Sequence, residues 1–424
     1  VAKAKTSKSV AIGSDAVANG YMNNANTEVE SATAVGAHTN ADGKGAAAFG
    51  HGANATGTST TAIGSKSQAT ADGATAVGNY AKATGKSAIA IGGDDTYTED
   101  TAAAKAEGNQ SIAIGSKANA QTGFDMAIGH GVTAKGGAAT AVGYLNTAEG
   151  NQSVALGSTV TTSSVAQYGT GIGYQVDVSG KNAVAIGSSG DLGTHTAASA
   201  TDAVAIGTAT VASGEAATAI GKKASASQSG AIAMGTSAAA SDAYAVAIGN
   251  NASAGNTSAI AIGNGANVTG YASVAIGNAT NATGGTSVVI GDGASSTVSL
   301  GTALGKGAKV THQDSVALGA ASETGAATST STMTIAGKSY TLAGGTAGGT
   351  VSIGSSTKKR TLTNLAAGTV SATSTDAVNG SQLYAVVQAA ESTATALTSV
   401  STAASSALVK ATSAESKADA AAAT

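Results

Sequence analysis

A five-residue pattern, small–apolar–Ala–apolar–Gly, recurs along the chain, as SIAIG at 111–115, SVALG at 153–157 and SVAIG at 273–277. Its closing Gly falls at 13, 36, 50, 64, 78, 92, 115, 129, 143, 157, 173, 187, 207, 221, 235, 249, 263, 277, 291, 305 and 319. Of the 20 intervals between these 21 glycines, 16 are 14 residues long; the others are 23, 23, 16 and 20. A period held over that length predicts a solenoid with one coil per repeat. Counting from the preceding repeat Gly, position 13 is apolar in all 21 copies, and position 11 is Val, Ile or Thr in 19. Position 12 is Ala in 19, the exceptions being Gly171 and Val289. Apolar residues two apart, many of them β-branched, predict a strand. Alanines at positions 3 and 5, such as Ala53 and Ala55 or Ala81 and Ala83, alternate with freely varying Asn54, Thr56, Lys82 and Thr84 and predict a second strand. Gly often stands at position 7, as Gly57, Gly85 and Gly284, where a tight turn needs φ > 0 or close backbone approach. Each coil therefore reads as two short strands and two turns of a flattened parallel β-roll.

The larger side chains, at positions 11 and 13, are expected to fill the roll, leaving the Ala at position 12 on the outer face. A face kept small in almost every coil suits a closely packed neighbour. A 14-residue coil also holds too thin a core to stand comfortably alone, so oligomerisation through the Ala face is expected. At about 4.8 Å per coil, the roll is a rod on the order of 100 Å long.

Composition narrows the function. The 424 residues include 59 Gly but no Pro, Cys or Trp, and only 11% are charged. The net charge of −3 gives no reason to expect nucleic acid or an anionic membrane surface as partner. Without Cys there are no disulfides, thiolate metal sites or Cys nucleophiles. No signal peptide and no apolar run of 18 residues is present, so any membrane anchor is expected outside this chain.

SVAIG-type words at 14-residue spacing resemble the YadA-like head of trimeric autotransporter adhesins. Residues 351–384, VSIGSSTKKRTLTNLAAGTVSATSTDAVNGSQLY, resemble that family's neck. The resemblance implies an all-β, left-handed parallel β-roll, then a neck and an α-helical coiled coil, assembled as a homotrimer. It divides the chain into a head (1–320), a hairpin-like head insert (321–350), a neck (351–382) and the start of a stalk (383–424). It marks Lys358, Lys359, Arg360, Asp376 and Asn379 as neck residues that lock the trimer. The last segment also reads as helical from its own pattern. Leu383, Val387, Ala390, Ala394 and Leu397 follow 4-3-4-3 spacing, and the seam weakens where Ser401 and Glu415 fall on it. In the insert, Met333 and Ile335, then Tyr340 and Leu342, alternate as in a hairpin.

Chemistry-bearing constellations are sparse. His38, His51, His130, His195 and His312 are scattered, and no group of them forms the three- or four-ligand set a metal needs. GNGANVTG at 263–270 and GDG at 291–293 lack the GKS/T ending of a phosphate loop and read as repeat turns. The 14-residue period differs from the nine-residue Gly-Asp repeat of calcium-binding rolls. No Ser-His-Asp arrangement has a nucleophile-elbow context, so no catalytic residue, metal or cofactor is expected.

Two features remain for binding. One is the set of long insertions, YMNNANTEVES (21–31), GDDTYTEDTAAAKAEG (93–108) and SSGDLGTHTAASATD (188–202), which carry the acidic Glu28, Glu30, Asp94, Asp95, Glu99 and Asp100. The other is the repeated word: NSVAIG-type words are linked to collagen binding in the resembled family. The nearest matches begin at Asn109, Asn151 and Asn182, with Ser111 and Ser153 following in the first two. None is the full NSVAIG, and with the apolar residues inside, only Asn, Ser and turn residues would reach a ligand. The expected function is therefore a non-enzymatic bacterial surface adhesin, anchored in the outer membrane. Its expected partners are an extracellular matrix protein such as collagen, or host or bacterial cells. The alternative is a structural spacer that projects a more distal binding head. Ice or mineral binding would need an outward Thr array, and the seven Thr at position 11 are expected to face inward.

Overall fold

The computed structural model describes all residues except 7, 23–27, 94–102, 190–192 and 424. They fall into two compact units. The first comprises 1–324 and 351–355, the second 325–350 and 356–424.

The first unit is a parallel solenoid with two ladders. Sheet 1 has 21 strands, most of them built on positions 4 and 5 of a coil, with those that follow the insertions, such as Lys105–Ala106 and Thr196–Ala198, falling later. Sheet 2 carries the repeated word, and coil pairs with coil in strict register: Thr61, Ala62 and Ile63 lie beside Thr75, Ala76 and Val77, which lie beside Ile89, Ala90 and Ile91. Backbone bonds tie successive coils, as from Thr61 N to the Ala74 carbonyl (3.0 Å) and from Thr75 N to the Ala88 carbonyl (2.8 Å). Sheet 2 gains its last rung from Val351–Ser352, which pairs with the strand Val316–Leu318 after the chain has left the solenoid and returned.

The faces of sheet 2 are the reverse of those expected from side-chain size. The Ala at position 12 points into the roll: Ala62, Ala76, Ala90, Ala247 and Ala261 are fully buried. Positions 11 and 13 point outward, leaving Ile12 58%, Ile63 42% and Leu318 47% exposed. The reason is width. Each coil interior is closed by positions 3, 5, 10 and 12, for example Ala53, Ala55, Thr60 and Ala62, all buried. Two sheets joined by such short turns approach too closely to hold Ile or Leu, and none is buried among the described residues, while Ala, Ser, Thr and an occasional Val fill the gap at interior density. The seven Thr at position 11 consequently face outward too, interrupted by Val, Ile, Ala and Met so that no regular array forms.

Where one core position grows, its neighbours shrink. Val160, Val176 and Val178 are buried in adjoining coils, and position 12 there is Gly171. A Cβ on Gly171 would lie 2.7 Å from Val160 Cγ1 and 3.2 Å from Val178 Cγ2. Gly171→Ala is expected to cost about 1–3 kcal/mol by overpacking. Adding Val178→Ala should recover part of that loss, giving a non-additive double-mutant cycle in chemical unfolding. Additive effects would show that the volumes are not coupled.

The repeat Gly holds a conformation closed to other residues. Gly64 has φ +125°, and a Cβ there would lie 2.5 Å from the next coil's Gly78 carbonyl oxygen. The αL positions are less restrictive. Turn positions 2 and 9 also have φ near +55°, yet hold His38, Lys66, Tyr80, Phe124 and Tyr244 among many others.

In the second unit, Thr332–Ile335 and Lys338–Thr341 form an antiparallel hairpin with Met333 opposite Tyr340. Helix α1 runs from Gly380 to Ala422. Asn379 caps it: its Oδ1 accepts from Gln382 N (3.3 Å), and Gln382 Oε1 accepts from Asn379 N (3.1 Å). None of its side chains is buried, and the seam residues Leu383 (62%) and Leu397 (69%) stand in the open. A 43-residue helix with an unpartnered apolar seam is a coiled-coil strand.

Candidate functional site

The most extensive chemical feature of the solenoid is the outer face of sheet 2. Position 13 forms an unbroken apolar column along it, including Phe49, Ile91, Ile114, Ile186, Met234 and Ile290, each 36–39% exposed, beside a position-11 column made mostly of Val, Ile and Thr. Side chains in register on successive rungs stand about 4.8 Å apart, so these columns make a continuous apolar strip on the order of 100 Å long. That greatly exceeds the apolar patches soluble monomers leave open and defines an association surface.

The opposite outer face, on sheet 1, is polar. Asn40 donates to Asn54 (3.0 Å), Asn267 donates to Asn281 (2.9 Å), and Lys135 pairs with Glu149 (2.8 Å). One turn edge carries a hydrogen-bonded ladder in which Asn264 donates to Asn278 (2.9 Å) and Asn278 to Asp292 (2.8 Å). The Asn278 hydrogen bond, then Lys306 at 3.2 Å, holds the Asp292 carboxyl below its usual pKa. Inside the roll, the buried Asp125 carboxylate accepts from Thr122 N, Thr122 Oγ1 and Ala139 N at 2.6–2.9 Å, which leaves it structural.

The residues expected to touch a ligand separate into three groups. Asn109, Asn151 and Asn182 are exposed in turns. Asn109 Oδ1 accepts from Lys86 N (3.0 Å), Asn151 donates to the Gly137 carbonyl (3.3 Å), and Asn182 donates to Asp202 (3.0 Å). Ser111 and Ser153 are fully buried, so they leave the contact surface. Ser111 Oγ donates to the Gly108 carbonyl (2.7 Å), and Ser153 Oγ meets Thr162 Oγ1 (2.7 Å). They occupy position 10, which faces the core. Asp94, Asp95, Glu99 and Asp100 lie outside the described residues. The three words therefore do not converge on one site; each supplies a separate Asn.

In the neck segment Lys358 and Lys359 are exposed and Arg360 is half-buried. Asp376 accepts from Thr369 N (2.9 Å), and Asn379 donates to the Leu365 carbonyl (3.0 Å). Gln382, not singled out from the sequence, joins the helix cap to the neck: its Oε1 accepts from Gly368 N (3.0 Å) and its Nε2 donates to the Gly368 carbonyl (2.6 Å). A Gln three residues after an Asn cap was the available signal. Among the described residues no group of three His, Cys, Asp or Glu is placed to hold a metal ion, and no helix is long and apolar enough to cross a membrane.

With this architecture in place, comparison with known proteins gives the class. The YadA head domain repeat matches eleven stretches between residues 30 and 322, some of them overlapping, and covers more than half of the chain. The coiled stalk of trimeric autotransporter adhesin matches 361–406. The chain belongs to the trimeric autotransporter adhesins with YadA-like heads. Autotransporter adhesin BtaE of Brucella suis biovar 1 (strain 1330) is 51% identical over 79 residues, 19% of this chain and 11% of that protein. The chain thus spans about a tenth of that relative's length. Among solved structures, the C-terminal YadA-like domain of a Burkholderia pseudomallei protein is 38% identical over 28% of this chain and 50% of its own, with a TM-score of 0.24. The collagen-binding domain of Yersinia adhesin YadA is 20% identical over 71% of this chain and 97% of its own, with a TM-score of 0.18.

Proposed function

We propose that three copies of this chain pack the apolar face of sheet 2 around a common axis, forming the head and upper stalk of a bacterial cell-surface attachment protein. The observation that carries this reading is the outward face of sheet 2, apolar in every coil at position 13 and in most at position 11, which the described residues leave partly exposed. Closing it in a trimer leaves the polar sheet 1 and the turns outside. Lys358, Lys359, Arg360, Asp376 and Asn379 then serve at the neck, where the chains pass one another before the helices join. Near-identical coils on three equivalent faces present weak sites side by side, so attachment to extracellular matrix or to other cells gains strength by avidity. The exposed Asn109, Asn151 and Asn182 and the acidic insertions with Asp94, Asp95 and Glu99 are the candidate contacts in this reading, with collagen as the first matrix ligand to try.

Sedimentation of the purified chain followed by binding to triple-helical and heat-denatured collagen tests both parts. A mass of three chains and binding lost on denaturing the collagen are expected. A mass of one chain overturns the trimer. A trimer that binds neither form overturns the collagen assignment.

A further inference from the structure

One turn edge of the solenoid is unlike the rest. In six successive coils sheet 2 extends past the repeat Gly, so His130, Tyr144, Ser158, Tyr174, Ser188 and Thr208 stand in register on neighbouring strands. The rings of His130 and Tyr144 stack, with centroids 5.5 Å apart and planes within 14°. His130 thus covers one face of Tyr144, and the other face turns toward the next rung. That rung carries Ser158, too small to cover it, and the rung beyond carries Tyr174. Tyr144 and Tyr174 are 51% and 49% exposed.

Two aromatic side chains two rungs apart, with only a hydroxyl between them, frame a slot about 9.6 Å from residue to residue. A flat aromatic ring held between them at van der Waals contact would need only about 7 Å. A puckered saturated ring, with hydrogens projecting from both faces, fills the larger space. The edge is also uncharged: turn positions 1 and 2 of the coils opening at Gly129, Gly143, Gly157 and Gly173 hold no Asp, Glu, Lys or Arg. Hydroxyl and amide groups are supplied by Ser158, Thr159 and Gln175. The slot is braced through the backbone, since the Tyr144 carbonyl accepts from Thr159 N (2.8 Å) and the Tyr174 carbonyl from Ser189 N (3.0 Å).

The geometry points to a carbohydrate site between Tyr144 and Tyr174 that takes a neutral pyranose whose hydroxyls are all equatorial, as in a β-glucoside. Such a ring presents polarised C–H groups on both faces, which the negative faces of two tyrosines attract. Its equatorial hydroxyls reach the polar rim. An axial hydroxyl would push against one tyrosine. The site deepens the attachment reading and rests on this edge staying open in the trimer.

The test titrates the sedimentation-verified trimer with cellotetraose, followed by protein-detected NMR or calorimetry, with mannotetraose and p-cresol as comparison probes. Saturation with a Kd on the order of 1 mM is expected, as befits one small polar ligand. Tyr144→Ala and Tyr174→Ala should each weaken binding at least tenfold. Ser158→Tyr should abolish it by filling the slot. Tyr244→Ala, on the opposite turn edge, should leave it unchanged, and mannotetraose should bind more weakly. The three tyrosines are exposed and Ser158 is half-buried at the end of its strand, outside the coil interior, so circular dichroism should show every variant folded. A trimer that does not saturate with cellotetraose, binding indifferent to the two tyrosines and Ser158, or p-cresol binding in place of sugar overturns the site. Loss of the trimer itself would count against the assembly instead.

Discussion

Ile248→Glu, Ile262→Glu and Ile276→Glu, introduced together, are expected to dissociate the trimer while leaving each solenoid folded. The three residues sit in register at position 13 of successive coils, and Ile276 is 37% exposed in the single chain. Their side chains point away from the coil interior, so the ladder bonds and the buried Ala247, Ala261 and Ala275 beneath them are untouched. In the proposed trimer the same positions face two other copies. Burying an ionised carboxylate there costs several kcal/mol each, with like charges from three chains opposing one another. Helix α1 cannot compensate, because Ser401 and Glu415 interrupt its seam. Sedimentation should give one chain at micromolar concentration, with an unchanged β-type dichroism spectrum. Ala261→Glu makes the contrast. It places a carboxylate in a fully buried position and should unfold the neighbouring coils. If the position-13 variants unfold and Ala261→Glu is tolerated, the faces of sheet 2 are assigned the wrong way round.

That contrast also shows where the sequence could be read and where it could not. Period, strand positions and turns follow from spacing alone, because one residue added to a coil would shift every side chain to the other face. The direction of the faces does not follow. Ile and Val at positions 11 and 13 look like core on the usual rule that large apolar residues lie inside a chain. Here they are surface in one chain, and the trimer proposed above makes them interior between chains. The deciding clue was volume. Position 10 holds Ser111, Ser153 and Ser273, and positions 3, 5 and 12 hold mostly Ala, so the small residues form a set that fits one thin interior. The candidate contacts fared unevenly for the same reason. Asn109 and Asn151 lie in a turn and stay exposed, whereas Ser111 and Ser153, two residues on, fall at position 10 and are buried. The Tyr144–Tyr174 slot was legible only after the register was known, since the two residues are 30 positions apart in sequence and two rungs apart in space.

Gly249→Ala is expected to disrupt the solenoid locally, far more than Gly265→Ala only one coil further on. Gly249 has φ +134°, a region L side chains rarely enter, and a Cβ there would lie 2.4 Å from the Gly263 carbonyl oxygen and 2.6 Å from its carbon. Both contacts are with backbone, so no rotamer change relieves them. The strained conformation alone costs about 1–3 kcal/mol, and separating the coils adds the loss of rung bonds such as Gly263 N to the Ile248 carbonyl (2.8 Å). Gly265 has φ +62° and nothing within 4 Å of an added Cβ. Ala209, Ala272 and Ala279 already occupy αL positions of this kind, so Gly265→Ala should cost about 1–2 kcal/mol at most. Because each coil contacts mainly its neighbours, the damage from Gly249→Ala should be confined. Hydrogen exchange should quicken over the coils spanning 235–277, while those before 200 and beyond 300 keep their protection. Uniformly faster exchange along the whole roll would show that the coils open as one cooperative unit. Equal effects of the two substitutions would mean that the repeat Gly is retained for something other than its conformation and the closeness of the next coil.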